Sequence, residues 1–259
     1  MARNAIHQAA QAFDHAAEAY DRGRPGFPPE AIATLVEALG IAAGVRVLDL
    51  AAGTGKLTRM LTPTGAELVA VEPLGGMRVR LEESLPGIRA LEGTAEAIPL
   101  PDASVAAVTV AQAFHWFDGH AALGEIHRVL ARGGRLGLLW NVKDEDEDWI
   151  AQLGEIVEPH RGTAPRYLSG RWRRAFEETA LFTPLIAERC SHVHEVEVEG
   201  VVDRILSISF IAALTEGERE QVAELVRRLL AEHPETRGRE TIRLPYRTDV
   251  YWCGRVERG

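Results

Sequence analysis

Cysteine is almost missing from this chain, with two thiols, Cys190 and Cys253, in 259 residues. Two distant cysteines supply neither a metal-ligand spacing nor the disulfide framework of a small secreted scaffold, so two isolated reduced thiols are expected. Long apolar runs are missing too. Nothing approaches the roughly 20 residues that a membrane helix needs, and the start "MARNAIHQAAQAF" lacks the continuous apolar centre of a signal peptide. Positive charge is in deficit: 29 Lys and Arg stand against 38 Asp and Glu, a net charge of −9. A non-specific grip on nucleic acid is therefore not expected. These absences leave a cytoplasmic protein with no nucleic-acid partner and no membrane partner as the expectation. They say nothing about its oligomeric state.

What is present is an alternation of two periods. "VRVLDL" (45–50), "AELVAV" (66–71), "GIRALEG" (87–93), "SVAAVTV" (104–110) and "GRLGLLW" (134–140) read as strands. Between them "GKLTRML", "GGMRVRLEESL" and "GHAALGEIHRVLARGG" read as helices, the last stopping at Gly133 and Gly134. Strands that are apolar throughout and alternate with helices predict a parallel sheet covered on both faces. After Trp140 the pattern turns helical. An acidic run from Asp144 to Asp148 opens one helix, and "SGRWRRAFEET" and "VVDRILSISFIAAL" read as two more. "TEGEREQVAELVRRLLAEH" carries a capping box, with Thr215 as cap and Glu218 three residues on. "CSHVHEVEV" (190–198) and the closing "LPYRTDVYWCGRV" alternate as strands. The expected organisation is one domain over 1–259. Its core is 30–142, a helical cap comes from 1–29 and about 145–235, and a closing strand covers about 240–256.

The first strand runs into "VLDLAAGTGKLT", which places Gly53 and Gly55 between a strand and a helix. An open α/β sheet binds nucleotides at such a turn, because glycine lets the backbone approach a ligand closely. A phosphate-binding Walker loop is excluded: Gly55-Lys56 is followed by Leu57, and Leu50 occupies the position of the first glycine. A dinucleotide fingerprint fails only at its third glycine, where Thr58 stands, so a nicotinamide-dependent oxidoreductase stays open as an alternative. Glu72 ends the second strand, where an acid can accept both hydroxyls of an adenosine ribose. After the fourth strand comes "AQAFHWFD", an aromatic stretch with a titratable histidine, His115.

Taken in order, "VLDLAAGTGKLT", "VAVEPLGGM" and "EGTAEAIPLPDASVAAVTVAQAFHWFD" resemble the class I S-adenosylmethionine-dependent methyltransferases. Within them the chain is similar to the type 11 group that includes trans-aconitate methyltransferase-like proteins. The resemblance covers residues 10–142 and thins beyond 145. It implies an α/β, Rossmann-like fold: a mostly parallel seven-stranded sheet with an antiparallel last strand and a helical cap. The cofactor it implies is S-adenosyl-L-methionine, and the partner a small-molecule acceptor. Asp49, Ala51, Gly53 and Gly55 would form the loop under the methionine part. Glu72 would hold the ribose, with Pro73 and Met77 near adenine and Thr94, Ala95 and Glu96 at the adenine edge. Gln112 and Phe114 would face the cofactor, Phe117 the core, and Tyr20 and Arg24 would close over the site, Arg24 on the cofactor carboxylate. Ala51 departs from the family pattern by replacing the first glycine of the loop.

Methyl transfer needs position and, for some acceptors, a base. His115 is the candidate base, and a structural histidine beside the cofactor is the other reading. Trp116, Trp140 and Asn141 are candidate substrate contacts. The arginines of "RYLSGRWRR" could attract an acidic substrate or form a solvated face. No metal site is expected: neighbouring acids on a helix diverge, and His192 and His194 have no third ligand in view. A cofactor-binding protein without methyl transfer, regulatory or catalysing a rearrangement, is the rival from another class, because no motif contains an obligatory catalytic residue.

Overall fold

The computed structural model describes residues 24–145 and 147–257. Its centre is a seven-stranded sheet in the order β3-β2-β1-β4-β5-β7-β6. The strands are β1 Arg46–Leu50, β2 Glu67–Val71, β3 Ala90–Leu91, β4 Val105–Ala111, β5 Leu130–Lys143, β6 Ile186–Glu197 and β7 Thr241–Gly254. Strands β1 to β5 pair in parallel, and β7 runs antiparallel to both β5 and β6. This is the mostly parallel, Rossmann-like sheet with an antiparallel last strand. Strand order reverses between β1 and β4, so a crevice opens beyond their carboxyl ends.

Both faces are covered because successive residues of each strand serve opposite cores. Leu48 and Leu50 of β1, Val108 and Val110 of β4 and Leu138 of β5 pack in one cluster. Helix α4 (Gly119–Val129) closes it with Leu123, Ile126 and Val129. Val47, Ala107 and Leu139 point to a second cluster, capped by Leu35 and Leu39 of helix α1 (Pro29–Leu39). Proline at the first turn and a left-handed Gly40 at the end delimit α1, the usual asymmetry of helix termini. Helices α2 (Lys56–Leu61) and α3 (Gly75–Ser84) follow β1 and β2.

The later segment builds its own core. Helices α5 (Asp148–Val157), α7 (Val198–Leu206) and α9 (Glu216–Glu232) bury Ile150, Leu153, Val201, Ile205, Val222 and Val226. The amino-terminal half of β7 joins them through Ile242, Leu244 and Tyr246. Thr215 and Glu218 form the expected reciprocal cap at the start of α9.

Three local expectations change. Helix α4 stops at Val129 rather than at Gly133-Gly134, because Leu130 already pairs with Val105 and the two glycines fall in a register shift within β5. "SGRWRRAFEET" forms one 3-10 turn (Arg171–Arg173) and one helical turn, α6 (Arg174–Glu177), as Trp172 and Ala175 turn into the sheet core. "VVDRILSISFIAAL" splits into the end of α7 and a short α8 (Ser209–Ala212), interrupted where Ser207 Oγ donates to the Arg204 carbonyl at 2.8 Å. No helix among the described residues is long and apolar enough to cross a membrane.

Candidate functional site

The crevice at the β1/β4 switch point forms a cleft open to solvent. Ala51, Ala52, Gly53 and Thr54 line it from the turn after β1, and Ala111 and Gln112 from the end of β4. Asn141 of β5, Arg24 and Phe27 of the segment before α1, Lys56 and Leu57 of α2, and Arg204 and Tyr246 of the later segment complete the wall.

Two non-glycine residues of this wall hold left-handed backbone, Ala51 at φ 55° and Gln112 at φ 59°. Such a conformation costs an L-residue about 1–2 kcal/mol, and strain of this kind collects where backbone geometry serves a ligand. The departure at Ala51 is thus conformationally meaningful: the turn demands the backbone that glycine adopts freely. Gln112 is held by its N–H on the Leu139 carbonyl at 2.8 Å and by its side-chain amide on the Asn141 carbonyl at 3.2 Å.

Asp49 does not line the cleft. It is buried beneath the turn, accepting from Thr58 Oγ1 at 2.6 Å and Thr109 Oγ1 at 3.2 Å, which ties β1 to α2 and β4. Burial pushes its carboxyl up to about 6 despite these bonds. Thr58 is thereby committed to a buried acid at the position where a dinucleotide fold needs glycine. Gly55 serves packing: it sits at φ 81°, and a Cβ there would lie 2.9 Å from Leu81 Cγ of α3.

Glu72 ends β2, 5% exposed. Its Oε2 accepts from the Gly53 N–H at 2.9 Å and its Oε1 from the Leu74 N–H at 3.0 Å, so one carboxylate joins the first turn to the second. Burial outweighs these bonds and the nearby Arg78, and pushes its carboxyl up to about 7. Beyond β3, Thr94 Oγ1 is buried without a hydrogen-bond partner, Ala95 is buried, and Glu96 accepts from the Asp118 N–H at 3.0 Å. Met77 is buried on α3 near the same end of the sheet.

The aromatic stretch divides sharply. Phe114, expected at the cofactor, is 1% exposed and packs on Phe117, Trp172 and Phe176 with ring centroids 5.4, 6.3 and 5.0 Å away, so its ring belongs to the core. Trp140, expected at the substrate edge, is likewise 1% exposed. It stacks on Tyr167 at 4.6 Å and packs on Trp172 at 4.7 Å, which leaves no ring face for a ligand. The causes differ: alternation along β5 turns Trp140 into the core under α4, whereas Phe114 lies beyond β4 in the 3-10 turn Phe114–Trp116, which delivers its ring to the same core. Trp116 packs against the later segment's core, and Phe117 against the sheet core as expected. Asn141 does line the cleft. Its Nδ2 donates to the Gly26 carbonyl at 2.9 Å while its Oδ1 accepts from Thr248 Oγ1 at 2.6 Å.

His115 is poorly suited to be a base. Trp140 Nε1 donates to its Nδ1 at 3.2 Å, so in the neutral ring the proton sits on Nε2 and no lone pair is free. Desolvation, with the Arg24 charge nearby, lowers its pKa to about 4. In an NMR titration the His115 ring should stay neutral down to about pH 4; a midpoint above 6 would restore it as a candidate base.

Tyr20 lies outside the described residues. The arginines 166, 173 and 174 do not reach the cleft: Arg166 pairs with Glu145, Arg174 with Glu178, and Arg173 lies over the Trp172 and Tyr251 rings. No three potential metal ligands converge among the described residues. Sequence reasoning missed Lys56, Arg204 and Tyr246. Lys56 was weighed only as a Walker lysine, and a single arginine in an apolar helix gives no sign of where it points.

Residues 48–138 match the family model described as a methyltransferase domain. An uncharacterized methyltransferase of Mycobacterium tuberculosis is 43% identical over 242 residues, covering 91% of this chain and 92% of the relative. An uncharacterized methyltransferase-like protein of Schizosaccharomyces pombe is 32% identical over 237 residues, covering 90% and 91%. Among solved structures, the YcgJ protein of Bacillus subtilis superimposes with a TM-score of 0.56 at 20% identity, covering 88% of this chain and 99% of that one, a likeness of fold.

Proposed function

The chain belongs to the class I S-adenosylmethionine-dependent methyltransferases, and from that premise we propose that it methylates a small-molecule acceptor bound in the cleft above Gly53. The observation that carries the reading is Glu72, a buried carboxylate at the end of β2 bonded to the Gly53 and Leu74 N–H groups. A carboxylate offers about four acceptor positions. Two are used, and two remain for the cis-hydroxyls of a ribose. The fit has further support in the open space before Gly53, where a Cβ would meet nothing within 4 Å, and in the partnerless hydroxyl of Thr94. The reading takes the chain as one domain, because β6 and β7 complete the sheet that residues 46–143 begin.

In this reading Ala51 and Gly53 turn the backbone beneath the methionine part, and Arg24 meets its carboxylate. Pro73, Met77, Thr94, Ala95 and Glu96 surround adenine, with Tyr20 closing from outside. When bound, S-adenosylmethionine supplies an electrophilic methyl group on a positively charged sulfur. The protein's own contribution is position and exclusion of water. Gln112 is held in strained backbone at the mouth of the cleft, and Asn141 and Tyr246 line its acceptor side. His115, neutral, steadies Trp140 rather than taking a proton.

Calorimetric titration with S-adenosylhomocysteine should give micromolar-range binding, and incubation with methyl-labelled S-adenosylmethionine and a small-molecule library should release S-adenosylhomocysteine. Absence of any S-adenosylhomocysteine binding would overturn the reading.

A further inference from the structure

Lysine is nearly absent from this chain. Of its 29 basic side chains only two, Lys56 and Lys143, are lysines, and all the others are arginines. The difference is chemical. A guanidinium stays protonated in a protein, whereas an ammonium withdrawn from water can release its proton near neutrality. Lys56 is engaged, its Nζ donating to the Arg24 carbonyl at 2.7 Å. Lys143 is not: among the described residues no hydrogen bond or ion pair holds its amine.

Lys143 is the last residue of β5. It lies two positions beyond Asn141, so the two share a face of the strand, and in register it stands opposite Tyr246 of β7. Asn141 and Tyr246 both line the cleft, which puts Lys143 at the end of that wall. Arg204 of α7, whose Nε donates to the Tyr246 hydroxyl at 3.3 Å, adds a positive charge beside the amine. Arg161 beyond α5 and Arg24 before α1 act in the same sense, and Glu145 after β5 opposes them. Across Tyr246, His192 of β6 stacks on the tyrosine ring at 5.5 Å, and burial disfavours the charged form of His192 and of His194 beyond it. Withdrawal from water is the first cause and the Arg204 charge the second, and together they lower the Lys143 amine to about 7. A base works best when its pKa lies near the working pH. His115 leaves that role open, because Trp140 engages its Nδ1.

Building on the methyl-transfer reading of the cleft, we propose that Lys143 is the general base of the reaction and that the acceptor is a hydroxyl group, as in a phenol or an alcohol. A carboxylate acceptor is already ionised and needs no base, and an ammonium acceptor would bring a further cation beside Arg204. The hydroxyl proton passes to the Lys143 Nζ lone pair as the hydroxyl oxygen forms its bond to the methyl carbon. The methyl–sulfur bond breaks with its electron pair left on sulfur, and the Lys143 ammonium then gives its proton to solvent.

The test uses the full chain, isotope-labelled at the ε-carbon of lysine. Two lysines give two resonances, and Lys143→Arg identifies the one that belongs to Lys143. That resonance should titrate with a midpoint at about 7 in the wild type and higher in Arg204→Gln. In a second arm, methyl-labelled S-adenosylmethionine is incubated with matched phenols, alcohols and carboxylic acids. Phenols or alcohols should be methylated, with kcat rising through the same midpoint. In Lys143→Gln, kcat should fall about a hundredfold and lose that rise, while KM and the affinity for S-adenosylhomocysteine stay within about threefold. The proposal is overturned if the Lys143 midpoint lies above about 9, close to an ordinary lysine. It is also overturned if no hydroxyl compound in the panel is methylated, or if Lys143→Gln keeps the wild-type kcat and pH profile. The resonance arm needs neither acceptor nor cofactor, so it decides even where a variant fails to fold. Failure of the wild type to bind S-adenosylhomocysteine at all would fell the methyl-transfer reading itself, a separate result.

Discussion

Glu72→Ala is expected to weaken S-adenosylhomocysteine binding by a hundredfold or more, read by calorimetry. In the proposed complex the substitution removes two charge-assisted hydrogen bonds to the ribose, each contributing about 1.5–3 kcal/mol, where 1.4 kcal/mol is tenfold in affinity. It also removes the acceptor for the Gly53 and Leu74 N–H groups, so the turn that should lie under the cofactor loses its brace. An affinity within threefold of wild type would show that the ribose is held elsewhere.

The same carboxyl sets a pH dependence. Its pKa is raised from 4.5 to about 7, so between these values the folded protein binds more protons than the unfolded chain. Its contribution to apo stability is therefore fully present below 4.5 and is lost as the pH rises through about 7. The ionised form accepts two N–H groups and, in the proposed complex, two ribose O–H groups, whereas the protonated form carries a donor of its own. Cofactor affinity consequently moves in the opposite direction, about tenfold weaker at pH 6 than at pH 8. The thermal stabilisation given by S-adenosylhomocysteine should widen over that interval, and a flat profile would exclude Glu72 as the titrating group.

Gly55→Val is expected to cost about 3 kcal/mol of folding stability: roughly 1–2 for a left-handed backbone and a further 1–3 for overpacking. The residue sits at φ 81°, and its Cβ would lie 2.9 Å from Leu81 Cγ and 3.0 Å from Leu85 Cδ1. Leu81 is fully buried, so it has little room to withdraw. Urea unfolding should show the fall in midpoint, large against a total of about 5–15 kcal/mol. Gly53→Ala is the contrast. At φ 58° its Cβ meets nothing within 4 Å, so only the backbone cost remains, and the methyl group enters the cleft. That variant should fold and bind the cofactor poorly. Equal stability losses in the two variants would mean that α3 does not constrain Gly55.

"AQAFHWFD" shows how far sequence reading reached. Its position after a strand of the parallel half of the sheet was legible, because β4 is apolar apart from Thr109 and ends at the crevice. The division of labour within it was not. Phe114 and Trp140 look like pocket aromatics in one dimension, but each belongs to the buried face of the sheet. His115 offered a titratable ring, yet a hydrogen bond from Trp140, 25 residues away, engages its Nδ1. The left-handed turn at Gln112 could not be anticipated, since glutamine has no preference for it.

The sequence by itself determined the sheet, its parallel character, the Gly53–Gly55 turn, the acid at Glu72 and the capping box of α9. All of these follow from local periodicity and from residue types whose backbone or charge preferences act over a few positions. Only the tertiary structure decided the cleft's charge. Arg24, Lys56 and Arg204 are separated by up to 180 residues, and what unites them is the packing of α7 and the segment before α1 over one end of the sheet. An electrostatic field sums over distance in space and ignores distance along the chain. For that reason the likeness to methyltransferases could be read from ordered motifs, while the meeting of these cations at one cleft had to await the fold.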